Sequence, residues 1–150
     1  DAIDDPSAWS IKFLASDIDT KVLKKASMGV YKEHEMIGVT PVTKEKYFET
    51  VIQDGEKCYR TKQALRDMIR YAEFNLMSDP YPFEHKFDII FCRNVLIYFD
   101  RDTQGRVVKK LVKALRLGGR LFIGHTETGV PKPDSLETLA VASYCKTSED

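Results

Sequence analysis

The stretch that most constrains this chain runs from Phe87 to Asp100, FDIIFCRNVLIYFD. Phe87 and Ile89 to Cys92, around Asp88, read as a buried strand that runs straight into a polar pair, Arg93-Asn94. In open α/β sheets ligands gather at the carboxyl ends of strands, because helix N-termini and loop amides converge there. A charged residue and an amide at that place are therefore candidate ligand groups. The tail VLIYFD brings Tyr98 to the same rim before Asp100-Arg101-Asp102 opens a helix. Taken alone, the segment also reads as an ordinary buried strand with a polar exit.

The flanking sequence supplies the other layers of an α/β order. Ile11 to Ala15 reads as a strand, and Ser16, Asp17 or Asp19 can cap a helix over Thr20–Met28, with Gly29 where a C-cap belongs. Residues 30–61 have a different texture, short mixed pieces with Pro41 and an Asp54-Gly55 turn signal, and predict a small antiparallel insertion. A helical turn is expected over 62–68, a strand over Ile69–Phe74 and a Pro-punctuated loop over 79–86. Asp102 or Thr103 is expected to cap a helix to about Leu115, with Val107, Val108, Leu111, Val112 and Leu115 on one face. The basic run Lys109, Lys110, Lys113 and Arg116 reads as a solvated face, with Gly118-Gly119 ending the helix. Arg120–Gly124 is a further strand, HTETG a polar loop in which His125 is the best placed of the His residues, and Leu136–Lys146 a closing hairpin strand. This alternation predicts a mostly parallel sheet with an antiparallel end.

Composition narrows the function classes. The 150 residues suit one domain, and Lys plus Arg balance Asp plus Glu at 23 each, so no overall field gathers nucleic acid or acidic membranes. Cys58, Cys92 and Cys145 are isolated, which argues against zinc and a disulfide framework and points to a reducing cytoplasm. No apolar run is long enough for a membrane span, and the first residues lack signal-peptide character. No GxGxxG, no P-loop and no GxSxG occurs.

Three expected strands end in polar residues: Asp17, Asn75 and Arg93-Asn94. An acid just after a strand can accept hydrogen bonds from the vicinal hydroxyls of a ribose, and Asn75 can offer its amide to an adenine edge. A nucleoside-bearing cofactor is one coherent reading of these exits. Asp17 also reads as a helix cap, and Asn75 as a turn residue.

These residues resemble the chemotaxis-receptor glutamate O-methyltransferases, the CheR family, which use S-adenosylmethionine. The resemblance rests on ASDIDTKVLKKASMGVY at 15–31, YF at 47–48, YR at 59–60, FNL at 74–76, FDIIFCRNVLIYFD at 87–100 and LRLGGRLFIGHTET at 115–128. It implies an α/β, Rossmann-like methyltransferase sheet with a small antiparallel β-subdomain at about 30–61. It also implies that residues 1–150 are part of a catalytic domain. Asp17 would hold the ribose side of the cofactor, Asn75 and Leu76 would line the adenine, and Arg93 and Asn94 would lie against the methionine moiety. Tyr98 would stand near the transferred methyl, with Arg93 and Tyr98 the catalytic pair. The products would be S-adenosylhomocysteine and methylated glutamates on the cytoplasmic domain of methyl-accepting chemotaxis receptors.

Four departures stand out. Leu117 replaces the Pro usual before the Gly pair, and Thr126 the Ser of GHSE. The hairpin TVIQDGEK lacks the GxG loop of members that grip a receptor tether. The family's Gly-rich cofactor loop, first strand and N-terminal helical domain have no counterpart in these residues. In the family's sheet that strand lies between the strands ending at Asp17 and at Arg93, and its absence leaves unpaired edges, each buried amide or carbonyl costing about 1–3 kcal/mol. A preceding segment or chain is therefore an expected partner, and these residues alone are expected to bind the cofactor poorly. The competing expectation is a non-catalytic docking fragment that binds a protein through the β-subdomain; a small-molecule methyltransferase is a third.

Overall fold

The computed structural model describes residues 9–149, which divide into two compact units, one up to Asn75 and one from Leu76. In the first unit the leading strand, β1 (Phe13–Asp17), lies two residues later than Ile11–Ala15, so that Asp17 is its last residue. Helix α1 (Thr20–Met28) has the expected bounds. Its cap is Asp19, whose carboxylate accepts the N–H groups of Lys21 at 2.8 Å and Val22 at 3.4 Å. Gly29 closes the helix in the left-handed region at φ 61°, with the Thr61 side chain 3.2 Å from where a Cβ would stand. The expected strand at 69–74 is β5 (Ile69–Glu73), parallel to β1 in the register Phe13↔Ile69 to Asp17↔Glu73. Two strands make a narrow floor, and α1 has no fully buried residue.

The insertion is a three-stranded antiparallel sheet of β2 (Val30–Lys32), β3 (Phe48–Gln53) and β4 (Glu56–Thr61), in the order β2-β4-β3. Asp54 and Gly55 both have positive φ, 52° and 77°, as a two-residue I′ hairpin turn demands. Between β2 and β3 the chain makes a 3₁₀ turn, Glu33–Met36, and α2 (Pro41–Tyr47), both absent from the sequence expectation. Pro41 occupies the first turn behind a Thr40 cap, where its fixed φ suits a helix start. The short α3 (Gln63–Arg66) leads into β5.

The second unit holds a four-stranded sheet of order β6-β7-β9-β8: β6 (Phe87–Cys92) parallel to β7 (Leu115–Ile123), then antiparallel to β9 (Ser143–Lys146) and β8 (Leu136–Ala140). Helix α4 (Arg101–Ala114) buries Val107, Val108, Leu111 and Val112 against it, with Leu96, Leu115, Leu121, Ile123 and Leu136 in the same core. Three expectations are corrected here. The cap is Asp100, not Asp102 or Thr103; its Oδ1 accepts the Thr103 N–H at 2.8 Å. Gly118-Gly119 does not end the helix but lies inside β7, where Gly118 has φ 75° and a Cβ on Gly119 would meet the Arg116 carbonyl at 2.8 Å. A bulge needs that conformation and that space, and the β6–β7 register shifts between Phe87 and Ile89. Finally, Lys110 is not merely solvated: its Nζ donates to the Ser78 carbonyl at 2.8 Å and lies 5.1 Å from the Tyr81 ring centroid.

Among the described residues β1 pairs with β5 alone and β6 with β7 alone. On β6 Ile89 is half exposed and Phe91 is 70% exposed, its ring stacked on Phe122 at 4.9 Å. No helix of the described residues is long and apolar enough to cross a membrane.

Candidate functional site

In the first unit the parallel register brings Asp17 level with Glu73, and the Phe74 N–H donates to the Asp17 carbonyl at 3.0 Å. Asp17 and the Phe74-Asn75 exit therefore meet at one carboxyl end, and both Asp17 and Asn75 are exposed. Because Asp19 takes the capping role, the Asp17 carboxylate is not spent on the helix. Its Oδ1 accepts the Asp19 N–H at 2.9 Å, which fixes the side chain's direction.

Leu76 opens the second unit. Its side chain packs against the core and its carbonyl accepts the Tyr81 hydroxyl at 3.0 Å. Burial pushes the Tyr81 hydroxyl's pKa far up, with Cys92 and Asp79 adding to the shift, so it stays a donor.

Arg93, Asn94 and Tyr98 come together on the loop that leaves β6. Asn94 takes the left-handed conformation, φ 58°, a region that Asn tolerates better than most residues. A 3₁₀ turn, Leu96–Tyr98, follows, with Leu96 fully buried and Tyr98 79% exposed. The loop thus has an anchored interior and an outward ring.

What anchors it is Glu127, a residue outside the candidates drawn from the sequence. The polar loop expected at HTETG is a 3₁₀ turn, His125–Glu127, in which His125 is exposed and Glu127 is 3% exposed. One Glu127 oxygen accepts Leu96 N–H at 2.7 Å and Ile97 N–H at 3.2 Å; the other accepts Gly124 N–H at 2.6 Å and Asn94 N–H at 3.0 Å. A buried carboxylate is tolerated when donors satisfy it, and here four backbone donors do. The available signal was the spacing of Gly124 and Glu127, the reach-back of a capping box. From α4, Gln104 Nε2 donates to the Leu96 and Phe99 carbonyls, both at 3.1 Å. Beneath the loop Cys92 is buried, and that burial, with the Glu127 charge, pushes its thiol up to about 12. At the loop's far end the Thr103 backbone and hydroxyl hold the Asp100 carboxyl below its ordinary value.

In each unit a parallel strand pair ends in polar residues, the place where α/β proteins gather ligands, and comparison with known proteins supplies the class. The family profile "CheR methyltransferase, SAM binding domain" matches residues 1–145, and the chain belongs to that family. It is similar to a chemotaxis protein methyltransferase of Escherichia coli (strain K12), at 41% identity over 81% of this chain and 42% of that protein. The chemotaxis protein methyltransferase of Borreliella burgdorferi is 38% identical over 92% of this chain and 47% of its own length. A probable biofilm formation methyltransferase of Pseudomonas aeruginosa, WspC, is 33% identical over 85% of this chain. The chain spans less than half the length of these curated relatives. Its family's cofactor is S-adenosylmethionine.

Proposed function

We infer that this chain is part of the catalytic domain of a protein-glutamate O-methyltransferase acting in the bacterial cytoplasm on the cytoplasmic domains of chemotaxis receptors. The observation that carries the reading is the pinned loop after β6, which presents Arg93, Asn94 and an exposed Tyr98 at a strand's carboxyl end.

The residues suit S-adenosylmethionine. The Asp17 carboxylate, whose neighbour Asp19 caps the helix, would accept the ribose hydroxyls, and Asn75 with Leu76 would line the adenine. Arg93 and Asn94 would hold the methionine end. The cofactor supplies a methyl group already activated by its sulfonium. The acceptor carboxylate is ionised at neutral pH, with an ordinary pKa near about 4.3, so no side chain need remove a proton. The protein's task is alignment and exclusion of water, effects worth up to about 7–11 kcal/mol in favourable cases. Arg93 would pair the acceptor carboxylate, and Tyr98 would orient it or offer its ring face to a sulfonium.

A preceding segment or chain would supply further strand neighbours to β1 and to β6, each of which pairs with one strand among the described residues. The insertion at about 30–61 would face the protein substrate. Incubation of the complete protein with methyl-labelled cofactor and receptor cytoplasmic domains tests the reading; label is expected on the receptor, and unlabelled receptor contradicts it.

A further inference from the structure

Resting on the methyltransferase reading above, we propose that Glu127 is a positioning residue: its carboxylate sets the backbone from which Arg93, Asn94 and Tyr98 act. The 3₁₀ turn at 96–98 lies between two side-chain clamps from different elements. Glu127, from the turn after β7, takes the loop's N–H groups at Asn94, Leu96 and Ile97. Gln104, from α4, donates to its carbonyls at Leu96 and Phe99. A strand exit whose amides pointed to water would need neither clamp. The same carboxylate also takes the Gly124 N–H, so one side chain fixes the exits of β6 and β7 to each other. Tyr98, the product of this rigidity, keeps its ring outside the clamp. Chemistry that depends on alignment is sensitive here, since a displacement of about 1 Å can cost on the order of 100-fold in rate.

Glycine at 124 belongs to the same device. A Cβ there would collide with Glu127 Oε2 and stand 2.8 Å from Asn94 Oδ1, so Gly124→Ala displaces the carboxylate without removing it. Glu127→Gln keeps the shape but turns an NH₂ toward backbone donors. The two substitutions reach one contact by independent routes.

The test compares Glu127→Gln and Gly124→Ala with Leu136→Val, a core change on β8, in the complete protein. Amide hydrogen exchange without ligand is expected to speed at least tenfold at Asn94, Leu96 and Ile97 in the first two variants and not in the third. Turnover in the first two is expected to fall on the order of 100-fold, mainly in kcat. The third, at matched loss of unfolding midpoint, stays within about twofold of wild type. If one of the first two fails to fold, the other carries the comparison; failure of both at assay temperature makes Glu127 a folding residue and overturns the proposal. Unchanged loop exchange, or turnover no lower than in Leu136→Val, overturns it too. Wild-type protein that neither binds S-adenosylhomocysteine nor transfers methyl overturns the underlying reading instead.

Discussion

At Arg93 and Tyr98 the side chains are exposed, while the loop beneath them is fixed through buried Leu96 and the Glu127 carboxylate. Ordered backbone under an exposed aromatic ring suits a group that must meet a ligand without first paying to organise itself. Arg93→Ala is expected to lower turnover on the order of 100-fold, and Tyr98→Phe by a smaller factor, with the unfolding midpoint unchanged. Normal turnover in both variants would remove them from the chemistry. Cys92 offers a different check. Its thiol is raised in the fold to about 12 from an ordinary value near 9.0, because burial disfavours the thiolate. The stability this gives is fully present below the unfolded value and is lost as pH rises from about 9 toward about 12. Urea midpoints of wild type should therefore fall more steeply than those of Cys92→Ala across that window; parallel curves would contradict it.

Among elements, those with a strong local signal were legible in the residues. Helix α1 has a capping Asp, a periodic face and a closing Gly, and its bounds came out as expected. The β3–β4 hairpin is written in Asp54-Gly55, since few other pairs take two positive φ values in succession. Where tertiary context decides, the residues mislead. Gly118-Gly119 reads as a helix end, yet α4 ends at Ala114 because the buried Leu115 already belongs to the sheet. The glycines instead form the bulge that realigns β7 with β6. Gly118→Ala is accordingly expected to destabilise the second unit by about 1–2 kcal/mol in urea unfolding, the cost of an L-residue in the left-handed region. A neutral effect would mean that the bulge relaxes at no cost. The basic face of α4 misleads in the same way, because the residues do not reveal that the Ser78 carbonyl and Tyr81 ring await Lys110.

For the whole molecule, strand order carries the lesson. The second unit's order β6-β7-β9-β8 and the first unit's parallel pair β1-β5 are long-range arrangements that no window of sequence specifies, although their alternating α/β character was legible. Of the candidate positions, the strand exits at Asp17, Asn75 and Arg93-Asn94 were legible as polar ends of apolar runs. Glu127 was not, because a buried carboxylate in a polar tripeptide looks like any solvated loop until its four backbone donors are seen. The chain belongs to the CheR methyltransferase family, and the glutamate methylation proposed for it would have a distinctive product. A methyl group placed on a glutamate is an ester, which alkali cleaves to methanol, whereas methyl on nitrogen survives. The decisive measurement is therefore the fate of label transferred by the complete protein to a receptor cytoplasmic domain. Label released as volatile methanol at alkaline pH is the result predicted; no incorporation, or label that resists alkali, would contradict it.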